Sequence, residues 1–192
     1  MPRRNAGGRH LIDMTMDNPV LTLEYANEDD RAYGLAGMAI SVAALDAIDK
    51  IASVSLDADG PMVTFSYYYY FCGSPSVSPK ASWNHTLNNF YLTSAMVVSN
   101  VMARSLVRLG REIPRDIMNR VHDEIDAEGR DSCSLEADEI DRIYRKTTSY
   151  MQRIFGNPRL HPAIKDFART LSRRRSMSGT EIFDELRALR IL

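Results

Sequence analysis

The chain has 192 residues, of which 44% are hydrophobic and 26% charged, and its formal net charge is −1. This composition is typical of a water-soluble globular protein, and the balanced charge excludes a strong overall field that would steer it to nucleic acid or a membrane. Two cysteines, Cys72 and Cys133, are too few for a disulfide framework and favour a reducing, cytoplasmic location.

The amino-terminal part of the chain predicts a flexible arm followed by a buried helix. Residues 1–18 contain Gly7-Gly8 and few apolar anchors. Asn27 is a good N-cap for a helix that we expect to run to about Lys50. Within it, residues 32–45 carry no charge, and a helix that is apolar nearly all round must be surrounded by other elements. This stretch is too short to cross a bilayer, so no membrane association is expected.

The pattern then changes to one that is typical of strands. Residues 51–57 and 62–71 are rich in strand formers and flank the turn sequence 57–61, which predicts a β-hairpin. An alternative interpretation continues the preceding helix through Leu56. Residues 19–25 could add a third strand, because a lone hairpin is marginally stable.

Four consecutive tyrosines lie on the second predicted strand. Alternating side chains would make both of its faces aromatic. If helices cover only one face of the hairpin, the second aromatic face is exposed; the alternative is that both faces are buried within the chain. Exposed tyrosines favour protein interfaces because they bury a large area at little entropic cost. The predicted interface residues are Tyr67, Tyr68, Tyr69 and Tyr70.

Apolar positions at helical spacing predict further helices through the remainder of the chain. After a loop at 72–82, they cover about 84–109 with Gly110 as C-cap, 114–129, a segment opened by Ser134, and two short helices. The second short helix begins with the capping-box pair Ser178 and Glu181. The predicted fold is mainly α: an irregular bundle of five or six helices with a small antiparallel hairpin near residues 51–71. Residues 19–192 are expected to form one helical domain.

Charge is segregated late in the chain. Residues 126–141 hold seven carboxylates and one arginine, whereas residues 142–175 hold ten basic residues and one acid, a net charge of +9. Such a segment could contact phosphates or an acidic protein. The more common explanation is that it forms the solvated surface of ordinary helices and that the neighbouring acidic segment neutralises it. The candidate anion-binding residues are Arg153, Arg159, Lys165, Arg169, Arg173, Arg174 and Arg175.

His122 is the strongest candidate for metal binding or acid–base chemistry, because Asp123, Glu124 and Asp126 lie beside it. These neighbours project around a helix, so another helix would have to supply partners such as His85 or Glu139. No catalytic motif, cofactor-binding motif or regular metal site is recognisable.

Three hypotheses about function follow from these patterns. The first is a non-enzymatic interaction protein that forms a homo-oligomer, most simply a dimer, through the tyrosines or the small-residue helix. The second is a nucleic-acid-associated factor that uses the basic segment. The third is a ligand- or metal-binding helical bundle centred on His122.

Overall fold

A computed structural model of the protein describes residues 21–70 and 78–191. It confirms a mainly α fold with a small antiparallel sheet. The described residues form seven helices, one more than the upper expectation, and the short helix α2 accounts for the difference. The helices are α1 (Glu28–Ala44), α2 (Tyr67–Tyr70), α3 (Pro79–Met102), α4 (Arg115–Cys133), α5 (Ala137–Phe155), α6 (His161–Arg174) and α7 (Gly179–Ala188). The predicted arm, residues 1–18, lies outside the described residues.

Helix α1 lies at the centre of the fold, as its uncharged stretch from residue 32 onward predicts. It packs against α3 and α6, and its small side chains are buried. The Asn27 side chain caps it by accepting a hydrogen bond from the Asp30 amide at 2.9 Å. The helix ends at Ala44 rather than near Lys50, because the chain turns at Asp46 with a φ of 54° before a single 3₁₀ turn, Ile48–Lys50.

The sheet has the order β2-β1-β3, with both pairings antiparallel. Its strands are β1 (Ile51–Ser55), β2 (Val63–Phe65) and β3 (Ser176–Ser178). The hairpin prediction is therefore confirmed, but its second strand is shorter than 62–71. The third strand does not come from residues 19–25, since residues 21–25 form no strand. It comes from Ser176–Ser178, which inserts the buried Met177 side chain into the core.

Helix α3 is longer than predicted and continues without a break into a π-helical segment, Ala103–Leu109. It begins at Pro79, where Ser78 provides the N-cap, and so takes in part of the predicted loop 72–82. Gly110 ends the helix in the left-handed conformation, as predicted. By length and composition, Pro79–Leu109 could span a membrane, but 78% of its most apolar stretch is buried inside the protein. Such burial is typical of a core helix.

The helix boundaries near residue 130 differ from the prediction. Helix α4 passes through Gly129 and runs to Cys133, and Ser134 then adopts a left-handed conformation. Gly129 is needed for packing, because a Cβ atom there would lie 2.8 Å from the Phe90 ring. Glu136, rather than Ser134, caps α5. The capping box that opens α7 is confirmed.

Candidate interaction surface

The four tyrosines form the single helical turn α2 and do not lie on a strand, which corrects the prediction for this segment. The Tyr69 carbonyl oxygen accepts hydrogen bonds from His85 Nε2 at 3.0 Å and from Asn89 Nδ2 at 2.7 Å. Asn89 Oδ1 in turn accepts a hydrogen bond from Lys50 Nζ at 3.1 Å. These contacts with α3 override the strand preference of tyrosine, because they consume a carbonyl that a β-ladder would need.

The helical turn directs one tyrosine inward and three outward. Tyr69 stacks on Phe65, with ring centroids 3.9 Å apart and planes inclined by 16°. The exposed fractions of the other three are 73% for Tyr67, 66% for Tyr68 and 62% for Tyr70. We call residues Tyr67–Tyr70 the tyrosine turn. Its outer surface presents three large aromatic side chains on a backbone that is fixed from below.

Burial raises the pKa of Tyr69 to about 12, and the neighbouring Tyr70 and Glu128 add to this shift. The Tyr69 phenol therefore stays neutral at physiological pH. The Tyr69 side chain contacts the Phe65 ring and lines a groove between α3 and α4.

This groove, which we call the α3–α4 groove, has a volume of about 640 Å³. Its floor is apolar and includes Phe90, Val97 and Ile125, while Glu124 and Glu128 line it from α4. A second, apolar hollow of about 240 Å³ shares two of its lining residues. That hollow is lined by Tyr25, Leu35, Met38, Met62, Val63, Phe65, Thr93, Met96 and Val97. The tyrosine turn thus lies beside a largely apolar surface of the same molecule.

Most of the predicted anion-binding residues in α6 and just beyond it have partners within the chain. Arg175 forms salt bridges with Asp57 and Glu28. Arg174 Nη1 lies 3.7 Å from Glu181 Oε1, and Arg174 Nη2 lies 3.8 Å from Glu185 Oε2. Arg169 Nη1 lies 2.5 Å from Asp166 Oδ1. These acids neutralise much of the charge that the segment would offer to a phosphate.

The other predicted anion-binding residues lie at several places. Arg173 donates a hydrogen bond to the Thr170 hydroxyl at 3.3 Å, and Arg153 lies over the Tyr150 ring at 5.3 Å. Arg159 is exposed in the turn between α5 and α6, and Lys165 is half-buried on α6. Arg173 lines one hollow together with Arg169 and another together with Arg174. Within residues 21–70 and 78–191, no contact brings Arg153, Arg159 or Lys165 to these arginines.

His122 joins α4 to α5 through a single carboxylate. Its Nε2 atom lies 2.7 Å from Asp141 Oδ1, and its ring contacts the Tyr144 ring edge-on at 4.7 Å. The expected partners are engaged elsewhere, His85 with the tyrosine turn and Glu139 in the α5 capping box. Within residues 21–70 and 78–191, no group of three or more His, Cys, Asp and Glu residues could hold a metal ion.

A buried ion pair between Arg104 and Asp30 is a structural feature that the sequence analysis missed. Burial alone would raise the pKa of Asp30, but hydrogen bonds from Arg104 and the Ala26 amide and the charges of Arg104 and Arg108 lower it. A signal was present, because Arg104 is the first charged residue after Lys80 in a long uncharged stretch. Its partner, far away in the sequence, was not recognisable.

No protein-family model matches the chain, and neither the curated proteins nor the solved structures contain a significant match. The fold is therefore described by its elements: a mainly α bundle with a three-stranded antiparallel sheet and an aromatic turn on its surface.

Proposed function

We propose that the protein is a non-enzymatic, cytoplasmic interaction protein that forms a homodimer through the tyrosine turn. The observation that carries this proposal is the exposure of Tyr67, Tyr68 and Tyr70, between 62% and 73%, on one short helical turn. Tyrosine is enriched in the energetic centres of interfaces, because its ring buries much area and has few rotatable bonds.

The way in which the turn is held supports an interface. The backbone of the turn is held before any partner binds, by hydrogen bonds from His85 and Asn89 and by the stacking of Phe65 on Tyr69. Association therefore immobilises few further rotatable bonds and costs little conformational entropy. The apolar side chains of the second hollow, which include Phe65, extend the surface available for the contact. A fully buried aromatic side chain contributes about 150–250 Å², so three of them supply a large share of the roughly 800 Å² that each partner buries in a typical interface.

A symmetric dimer is the simplest assembly for such a surface, because the same patch meets itself across a two-fold axis. The small-residue face of α1 is less suited to this role, since Ala32, Ala36 and Ala39 are fully buried by other elements of the same chain. The nucleic-acid hypothesis is also less favoured, because Arg169, Arg174 and Arg175 already have acidic partners.

Light scattering during size-exclusion chromatography over a range of concentrations tests the proposal. We expect the unmodified protein to approach the mass of a dimer and the Tyr68→Ser/Tyr70→Ser double variant to remain a 21.7 kDa monomer. Phe183→Ser is the matched control, because Phe183 is an exposed aromatic residue that lines a separate hollow between α7 and β1. A monomeric unmodified protein, or equal masses for all three proteins, would contradict the proposal.

A further inference from the structure

We infer that the α3–α4 groove binds a small hydrophobic amine, with its ammonium group at Glu128 and its apolar body against Phe90 and Ile125. This inference concerns the groove rather than the outer surface of the tyrosine turn. It is independent of the proposed dimer, since a monomer would present the same groove.

The size and shape of the groove suit a small molecule. Its volume of about 640 Å³ lies within the range of roughly 300–1,000 Å³ that is usual for small-molecule sites. Phe90 and Ile125 are buried residues that form a fixed floor between the two helices, and Val97 extends this floor along α3. Tyr69, stacked on Phe65, closes the end that faces the tyrosine turn.

The charge of the lining selects a cation. Glu124 and Glu128 are one helical turn apart on α4, so both carboxylates lie on the side that faces the groove. The described residues that line the groove include no lysine or arginine, and neither glutamate forms a salt bridge within the described part of the chain. The nearby Arg130 is already held by Asp126, at 2.7 Å. A bound cation would therefore neutralise carboxylates that have no salt-bridge partner within the described residues.

The electrostatic influence of Glu128 reaches the interior of the groove. After burial, which is the largest cause, the charge of Glu128 further raises the pKa of the Cys133 thiol, and it acts on the Tyr69 phenol in the same direction. Both side chains line the groove. The field that disfavours a thiolate or phenolate here favours an ammonium ion, and the Tyr69 and Phe90 rings can add cation–π attraction.

Three probes of similar shape and different charge test the inference. The probes are 2-phenylethylamine, 2-phenylethanol and phenylacetate, each titrated into the full-length protein by calorimetry and followed by NMR. We expect the amine to bind saturably and about tenfold more tightly than the neutral alcohol, as one favourable charge contact predicts. Phenylacetate should bind most weakly. Equal affinity for amine and alcohol, or no saturable binding of the amine, would overturn the inference.

Charge-neutralising variants locate the site. Glu128→Gln should weaken binding of 2-phenylethylamine about tenfold. Asp123→Asn removes the same charge from an exposed position on the same helix that does not line the groove, and should leave the affinity unchanged. Thermal unfolding should be alike for both variants. If Glu128→Gln weakens dimerisation but not amine binding, the groove belongs to a contact between two copies of the chain and the inference fails.

Discussion

Arg104 donates two hydrogen bonds to Asp30, from Nε to Oδ1 at 2.9 Å and from Nη2 to Oδ2 at 2.6 Å, in a fully buried site. Arg104 also donates to the Glu24 carbonyl at 2.8 Å and lies over the Tyr25 ring at 4.9 Å. The Arg104 guanidinium therefore connects the π-helical segment after α3 to the first turn of α1 and to the residues that precede it. Burial of both charges is tolerated because hydrogen bonds satisfy the guanidinium and both carboxylate oxygens.

Removing the guanidinium should destabilise the protein strongly. Arg104→Met leaves the Asp30 carboxylate buried with Arg108 as its remaining cation, and loss of one partner of a buried pair costs about 3–5 kcal/mol. Urea unfolding followed by circular dichroism measures the loss. The control is Arg142→Met, because Arg142 and its salt-bridge partner Asp138 are both exposed. This substitution should change the free energy of unfolding little. Equal effects of the two substitutions would contradict the stabilising role of Arg104.

The same pair should make the protein sensitive to acid. The pKa of Asp30 is lower in the folded protein than its ordinary value of 3.8, so the unfolded chain binds this proton more readily. The resulting stability is present above pH 3.8 and is lost as the pH falls through the lowered pKa of the folded state. Thermal unfolding between pH 5 and pH 2 should show a decline that is smaller in Asp30→Asn. An unchanged decline in that variant would show that other carboxyl groups dominate acid unfolding.

Local sequence patterns predict the elements whose stability is local, and miss those that depend on distant partners. The buried helix over the uncharged stretch of α1, Gly110 at the end of the π-helical segment and the Ser178–Glu181 capping box follow from nearby residues, and all are confirmed. The sequence predicts a strand for the tyrosine turn, because tyrosine favours strands. The contacts from His85 and Asn89 that hold it as a helical turn come from another helix, so the local pattern does not reveal them. Strand β3, with the sequence Ser-Met-Ser, has no pronounced strand preference and forms by pairing with β1.

The close approach of α1 and α3 should not tolerate a larger residue at Gly37. A Cβ atom there would overlap the Ser99 carbonyl oxygen and lie 2.8 Å from the Ala103 Cβ atom. Because the first obstacle is backbone, Gly37→Ala should destabilise the protein by about 1–3 kcal/mol. Gly60→Ala is the matched control, since nothing lies within 4 Å of its added Cβ. Denaturant midpoints measure both, and comparable midpoints for the two variants would contradict the packing argument.

Alkaline conditions should weaken the anchoring of the tyrosine turn. The pKa of Tyr69 is raised from its ordinary value of 10.0 to about 12, so the unfolded chain releases this proton first. The contribution is fully present below pH 10 and is lost between pH 10 and pH 12. Tyr69→Phe keeps the ring that stacks on Phe65 and removes the proton, so its stability should fall less steeply over this range. Tyr68→Phe, at an exposed position, should behave like the unmodified protein; if Tyr69→Phe does so as well, the assignment is wrong.

The proposed homodimer places the outer face of the tyrosine turn against a second copy of the chain. A photo-crosslinking amino acid, p-benzoylphenylalanine, placed at Tyr68 or at Phe183 in otherwise unchanged protein, tests this contact directly. Irradiation of the purified protein should produce covalent dimers from position 68 and few or none from position 183. Monomers alone from position 68, or equal dimer yields from both positions, would contradict the account.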